Sequence, residues 1–168
     1  MPLTSRLTAP HLDPSYGVTK AAPDASWPAI EEKLAGSRNY WICTTRAGGA
    51  PHSKPVWGVW SNGLWFSTGV RAVTGRNLAR DARVSVHTES GDDVVILEGE
   101  VAPRPQSEVP DDVLASYAEK YGFDPREHED PGGVWFLLVP SVAHTWLEQD
   151  FQNSVGRWEF DEPGRLDV

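Results

Sequence analysis

A chain of 168 residues is the size of one domain, large enough to bury about two thirds of its unfolded surface without disulfides or metals. Its formal net charge of −9 opposes non-specific binding to nucleic acid or to an anionic membrane, because both need a dense basic patch. The single cysteine, Cys43, excludes an intrachain disulfide and a cysteine-rich zinc site.

In chain order, residues 1–23 are rich in proline and small polar residues and are expected to form an irregular arm, with one domain over 24–168. The arm lacks the apolar core of a signal peptide, and the longest apolar run, 134–140, is too short to cross a bilayer. A soluble cytoplasmic protein is the expectation. Ser26 is placed to cap a helix running to about Gly36, with Trp27, Ile30 and Leu34 on one face. Strands are expected at 40–46, with Cys43 as a buried thiol, at 53–60 and at 63–69. A short helical turn near 73–80 leads to strands at 83–89 and 93–102. A second amphipathic helix over 111–121 stops before Gly122 and turns Val113, Leu114, Tyr117 and Tyr121 to the core. An acidic loop over 123–133 precedes strands at 134–139, 143–147 and 155–160. Short strands with two or three helices argue for a mainly β fold, a closed or nearly closed antiparallel barrel.

The densest information lies in residues 51–69. Asn62-Gly63 suits the positive φ of a tight turn, so the flanking apolar segments read as a hairpin. Period two puts Val56, Gly58 and Trp60 on one face and Trp57 and Val59 on the other. A strand apolar on both faces lies inside a barrel or sandwich, or has one face against a flat ligand. After Gly69 a basic segment, 70–80, enters the helical turn, and a strand followed by glycine and a basic helix start suits an anion.

Four ordered fragments carry a resemblance: Pro-His-x-x-Pro-Val-Trp at 51–57, Phe-Ser-Thr-Gly at 66–69, Arg-Asn-Leu-x-x-Asp-x-Arg-Val at 76–84, and Asp-Asp-Val-Val-Ile-Leu-Glu-Gly at 92–99. Together they resemble the pyridoxamine 5′-phosphate oxidase-like flavin/deazaflavin oxidoreductase superfamily, and within it the actinobacterial branch that uses coenzyme F-420. The resemblance covers roughly residues 27–160. It implies a split antiparallel β-barrel of the FMN-binding type, assembled as a homodimer with a flavin-like cofactor in each of two grooves at the subunit interface. Carried over position by position, it puts Lys54, Pro55 and Val56 beside the ring system and Ser67 and Thr68 on the neighbouring strand. The phosphate end falls to 71–77, with Arg71, Thr74, Arg76 and Asn77. Trp158, in the tail strand, is a weaker candidate for facing the partner's groove. Thr74 stands where the family commonly has lysine. Arg71 and Arg76 then supply the charge a hydroxyl cannot, or binding is weak or lost; on this reading Thr74→Lys tightens binding.

The implied function is hydride transfer from coenzyme F-420 to a small unsaturated or conjugated substrate. No catalytic side chain is required, because the chemistry belongs to the cofactor. The alternatives are an FMN-dependent oxidoreductase and a non-catalytic split-barrel protein that sequesters a cofactor or planar ligand.

Plainer readings of the same residues run beside these. Trp65 and Phe66 read as core aromatics, Trp57 stays open, and Trp158 and Phe160 share a parity that would seal the core. Arg71, Arg76 and Arg80 also read as a solvated helix face with Asp81 as a surface partner. His52, His87 and His144 read as polar strand residues without metal-ligand spacing, and Asp92, Asp93, Glu98 and Glu100 as turn or solvent-facing groups. No nucleophile elbow, P-loop or dinucleotide glycine fingerprint is present.

Overall fold

Alternation of apolar and polar residues builds most of the chain into strands, and every ladder among the described residues is antiparallel. The computed structural model describes residues 3–128 and 132–161. Its strands are β1 (Ser5–Thr8), β2 (Tyr40–Thr45), β3 (Pro51–Val56), β4 (Gly58–Trp60), β5 (Leu64–Gly69), β6 (Arg83–His87), β7 (Asp93–Arg104), β8 (Gly133–Leu147) and β9 (Gly156–Phe160). The helices are α1 (Trp27–Gly36), α2 (Val73–Arg80), α3 (Asp111–Tyr121) and the single turn α4 (Phe151–Ser154).

The sheet runs β1-β9-β8-β7-β6-β2-β3, with β5 pairing β8 and β4 pairing β5. β8 is its spine: β7 follows it almost throughout, while β5 takes its first half and β9 its second. The two strands expected at 134–139 and 143–147 are therefore one. The register shifts between Glu98 and Gly99, opposite Pro140, the one residue of β8 that cannot donate to a ladder. A Cβ on Gly99 would stand 2.7 Å from the Val139 carbonyl, so only glycine admits the irregularity. The architecture is the split antiparallel barrel that the resemblance implied. The sheet is not closed, since β5 approaches β3 without pairing to it.

The segment expected as one strand over 53–60 divides at Trp57. β3 pairs with β2, setting Lys54 opposite Ile42 and Val56 opposite Tyr40, whereas β4 turns away to pair with β5. Gly58 allows the crossing, because a Cβ there would meet the Trp65 carbonyl at 2.9 Å. The hairpin is thus confined to β4 and β5, with Asn62 at φ 49° and Gly63 at φ 135°.

Both apolar faces of that hairpin are covered by protein. Trp60, Leu64 and Phe66 join Tyr40, Ile42, Leu97, Leu138 and the α1 residues Trp27, Ile30 and Leu34 in the barrel core. Val59 and Trp65 pack under α3 with Val113, Leu114, Tyr117 and Trp135. Each such burial contributes roughly 1.5–3 kcal/mol, so the second cluster is sufficient to hold α3 in place.

Two expectations are corrected here. The arm at 1–23 is not wholly irregular: β1 pairs Leu7 with Trp158 and covers β9, which would otherwise be a bare edge. Cys43 is half-buried rather than buried, with Sγ 3.3 Å from Ser53 Oγ, because Tyr40, Ile42 and Thr44 take the inward positions of β2. Among the described residues no helix is long and apolar enough to cross a membrane.

Candidate functional site

α2 closes one end of the barrel by turning small and polar residues inward. Gly75 lies so close to the end of β5 that a Cβ would stand 2.3 Å from the Gly69 carbonyl. Asn77 is buried and donates from Nδ2 to Thr44 Oγ1 at 2.9 Å, and Leu78 enters the core. Thr74 is fully buried, its Oγ1 3.2 Å from Nε2 of His52. The opposite face of α2 carries Arg76 and Arg80, both exposed. Arg76 donates to the Arg71 carbonyl and Arg80 to the Thr45 carbonyl.

β3 is the last strand of its ladder, so residues on its inward face stay accessible. His52 lies opposite Thr44 and Lys54 opposite Ile42, which puts both on the face that α2 overlooks. Arg46, in the turn between β2 and β3, reaches Nδ1 of His52 with Nη2 at 3.2 Å. Arg46, Lys54, Arg71, Arg76 and Arg80 are all exposed, and none has a carboxylate partner among the described residues. Elsewhere Arg6 and Arg157 share Glu159, Lys33 meets Asp93, Arg83 meets Asp81 and Arg126 meets Asp124. Asp81, expected beside the arginines of α2, is instead clamped by Arg83, whose hydrogen bonds bring its carboxyl down to about 2. Exposed cations without carboxylate partners along one edge of an acidic chain give that edge a locally positive potential.

Thr68, the residue before Gly69, is buried, and its Oγ1 has no hydrogen-bond partner. A buried hydroxyl without a partner is costly unless something binds it. It stands in β5 next to the residue against which α2 begins, and so suits a polar group arriving at this edge.

Lys54 is thus exposed on β3 on the face shared with His52, Arg71 is exposed just before α2 and Arg76 on it, and Thr68, Thr74 and Asn77 are buried. Thr74 and Asn77 face inward and anchor α2. The other candidates lie elsewhere. Val56 is core, and Pro55 is on the outward face opposite Trp41. Ser67 points towards α3, where it lines a cavity of about 90 Å³ with Tyr117 and Trp135. Trp158 is 4% exposed, donates to Thr145 Oγ1 at 3.1 Å and packs on Trp27, so it is a barrel residue rather than a groove residue.

A second polar cluster escaped the sequence reading. Lys120 donates to the carbonyls of Ala35 at 3.2 Å and Gly58 at 3.1 Å, and lies 3.2 Å from Tyr40 Oη. Its ammonium also lies over the rings of Tyr40 and Tyr121. Burial, with Arg38 nearby, brings its pKa down to about 8. Tyr121 donates to the Arg38 carbonyl at 2.7 Å and accepts from the Gly58 amide at 2.9 Å, and Trp57 stacks on it at 4.7 Å. The cluster pins the break between β3 and β4 to α1 and α3. Trp57, left open by the sequence, is 41% exposed and belongs to this corner.

The family model described as pyridoxamine 5′-phosphate oxidase matches residues 26–147, from α1 to the end of β8. The chain belongs to this family. A conserved hypothetical protein of Mycobacterium tuberculosis is similar at 25% identity over 78% of this chain and 91% of that one, with a TM-score of 0.65. The heme storage protein HutZ of Vibrio cholerae shares the fold at 20% identity, 67% and 88% coverage and a TM-score of 0.58. An F-420 reductase does so at 19% identity, 67% and 94% coverage and a TM-score of 0.52. Comparison with curated proteins finds no match. The matched span of the pyridoxamine 5′-phosphate oxidase family contains the whole α2 edge and excludes β1 and β9.

Proposed function

We propose that this protein is a cytoplasmic oxidoreductase of the deazaflavin-using branch, which holds coenzyme F-420 at the basic edge and reduces a small unsaturated or conjugated substrate. The observation that carries the reading is the set of unpaired cations around α2 in an acidic chain. Arg71 and Arg76 would grip the phosphate as guanidinium forks, with Lys54 beside them on β3. Thr68 would give its unpartnered hydroxyl to a polar atom of the ligand. A bound deazaflavin would supply the hydride, while the protein would orient it and Lys54, Arg71 and Arg76 would neutralise its anionic end. The family also accommodates FMN-dependent oxidation and non-catalytic ligand storage, and the same titration separates them.

The reading includes a homodimer. Pro55, Trp41, His87, Ile96, His144 and Arg157 form one row across the outward face of the sheet, from β3 to β9. Trp41 and His87 stack there at 6.2 Å and 5°, only half-buried, and a second copy would cover them.

The test is fluorescence and absorbance titration of the purified protein with coenzyme F-420 and with FMN, beside sedimentation. Binding of F-420 by a dimer, with turnover of an electron-poor alkene or quinone, supports the proposal. Preference for FMN moves it to the oxidase alternative. Binding without turnover on a panel of acceptors leaves a storage role, and a folded monomer that binds neither cofactor ends it.

A further inference from the structure

Arg46 and His52 have no part in the reading above beyond adding charge, yet their geometry restricts the proton of the imidazole. A guanidinium has donors only. The contact of Arg46 Nη2 with His52 Nδ1 at 3.2 Å therefore requires that Nδ1 accept. The ring proton then sits on Nε2 and is donated to Thr74 Oγ1 at 3.2 Å. Only the neutral imidazole satisfies both neighbours. A protonated ring would turn an N–H towards a donor and set two cations side by side.

The charged group that reaches this ring is a cation, and other cations lie on the neighbouring elements. Arg46 approaches from the β2–β3 turn, Lys54 follows two positions along β3, and Arg71, Arg76 and Arg80 come from α2 and the loop before it. Beneath lie the neutral Thr44, Thr74 and Asn77. No carboxylate among the described residues is paired with any of these cations. In the free protein a second ring N–H would face the Arg46 donor, whereas a divalent oxyanion placed between them would accept from both.

We infer that Arg46 and His52 form a proton-linked anion site, in which an oxyanion arriving between them accepts a hydrogen bond from each while His52 takes up one proton from solvent. The anion replaces Nδ1 as the acceptor of the Arg46 donor, and the new Nδ1–H turns to it; the Nε2 donor to Thr74 is kept. The site rests on the reading of this edge as the phosphate end of the ligand groove, and it makes that end sensitive to pH.

Sulfate is the probe, because it remains a dianion across the pH range in which histidine titrates. With the imidazoles labelled with ¹⁵N, the free protein at pH 8 should show His52 as the Nε2–H tautomer. Adding sulfate near neutral pH should convert the ring to the doubly protonated form. Sulfate affinity should rise by up to about tenfold per unit as pH falls through the histidine range, the limit for one linked proton. His52→Gln keeps one acceptor and one donor for Arg46 and Thr74, so it should fold as the wild type does and bind sulfate weakly with no pH slope. Sulfate binding that is independent of pH, an equal slope in His52→Gln, or no binding at pH 6 would each overturn the inference. The two readings separate cleanly. Coenzyme F-420 binding that needs Arg71 and Arg76 but ignores His52 and pH removes the proton link and leaves the cofactor assignment. Sulfate-driven protonation of His52 in a protein that binds neither F-420 nor FMN does the reverse.

Discussion

Two ends of the open barrel use cations in opposite ways. Under α3, Lys120 reaches two carbonyls and a phenol and lies over two rings, so its charge is consumed inside the molecule. Around α2, Arg46, Lys54, Arg71 and Arg76 meet no carboxylate among the described residues. A basic residue with every donor engaged is a fold element, whereas one held in place by a single backbone contact and otherwise free is available to a ligand. Burial and partners, rather than residue type, distinguish the two.

Substitutions can break this contrast at several strengths. Trp158→Ala should be the most damaging to the fold, costing about 3–5 kcal/mol in denaturant unfolding as a large core side chain, with affinity per folded molecule unchanged. Loss of F-420 binding at unchanged stability would return Trp158 to the groove. Thr74→Lys comes next. The family residue looks like a gain of charge, yet Thr74 is fully buried beside His52, so an ammonium placed there must be desolvated or must push α2 outward. A loss of about 3 kcal/mol and weaker ligand binding are expected, the opposite of what the sequence suggested; tighter binding by a stable variant would show that α2 can rotate.

Arg71→Ala or Arg76→Ala should leave stability within about 0.5 kcal/mol while weakening F-420 binding about ten- to a hundredfold, since a charge-assisted contact contributes roughly 1.5–3 kcal/mol. Higher salt should narrow the gap to the wild type. Lys120→Met should do the reverse. By leaving Gly58 and Ala35 carbonyls short of a donor it should cost about 2 kcal/mol, measured in urea, with affinity unaffected. If the two variants behaved alike, the contrast would fail.

The last effect is a pH slope. The Lys120 amine titrates near 8 in the folded protein, below its ordinary 10.5, so between these values the unfolded chain binds the extra proton. Stability from this group should therefore rise with pH from about 8 to 10.5, as the burial of a charge is relieved. Unfolding free energies across that window should show the rise in the wild type and not in Lys120→Met. A wild-type curve parallel to that of the variant would mean that the amine stays charged.

Much of the frame was legible because it depends on neighbours in sequence. Helices α1 and α3 follow from apolar residues at helical spacing, and the turn at Asn62-Gly63 from the one dipeptide there that tolerates positive φ. The basic segment 71–80 was legible as a helix after a glycine-ended strand. Its inward face was not, since the same Thr-Gly-Arg-Asn run suits a helix lying with either side to the barrel. Arg46 fell at the end of the strand expected over 40–46 and was given no role, whereas β2 ends at Thr45 and leaves Arg46 in the turn.

What the sequence determined by itself was therefore the antiparallel, mainly β character, the turn at Asn62-Gly63 and the places of α1, α2 and α3, all of them properties of a backbone within about ten residues. Tertiary structure alone decided that the strand breaks at Trp57, that Thr74 faces His52, that Trp158 is core, and which cations remain unpaired. Lys120 finds its acceptor at Ala35 across 85 residues, and Arg80 reaches Thr45 across 35. Partners so distant are chosen by how sheet and helices close on one another, and no local pattern carries that information.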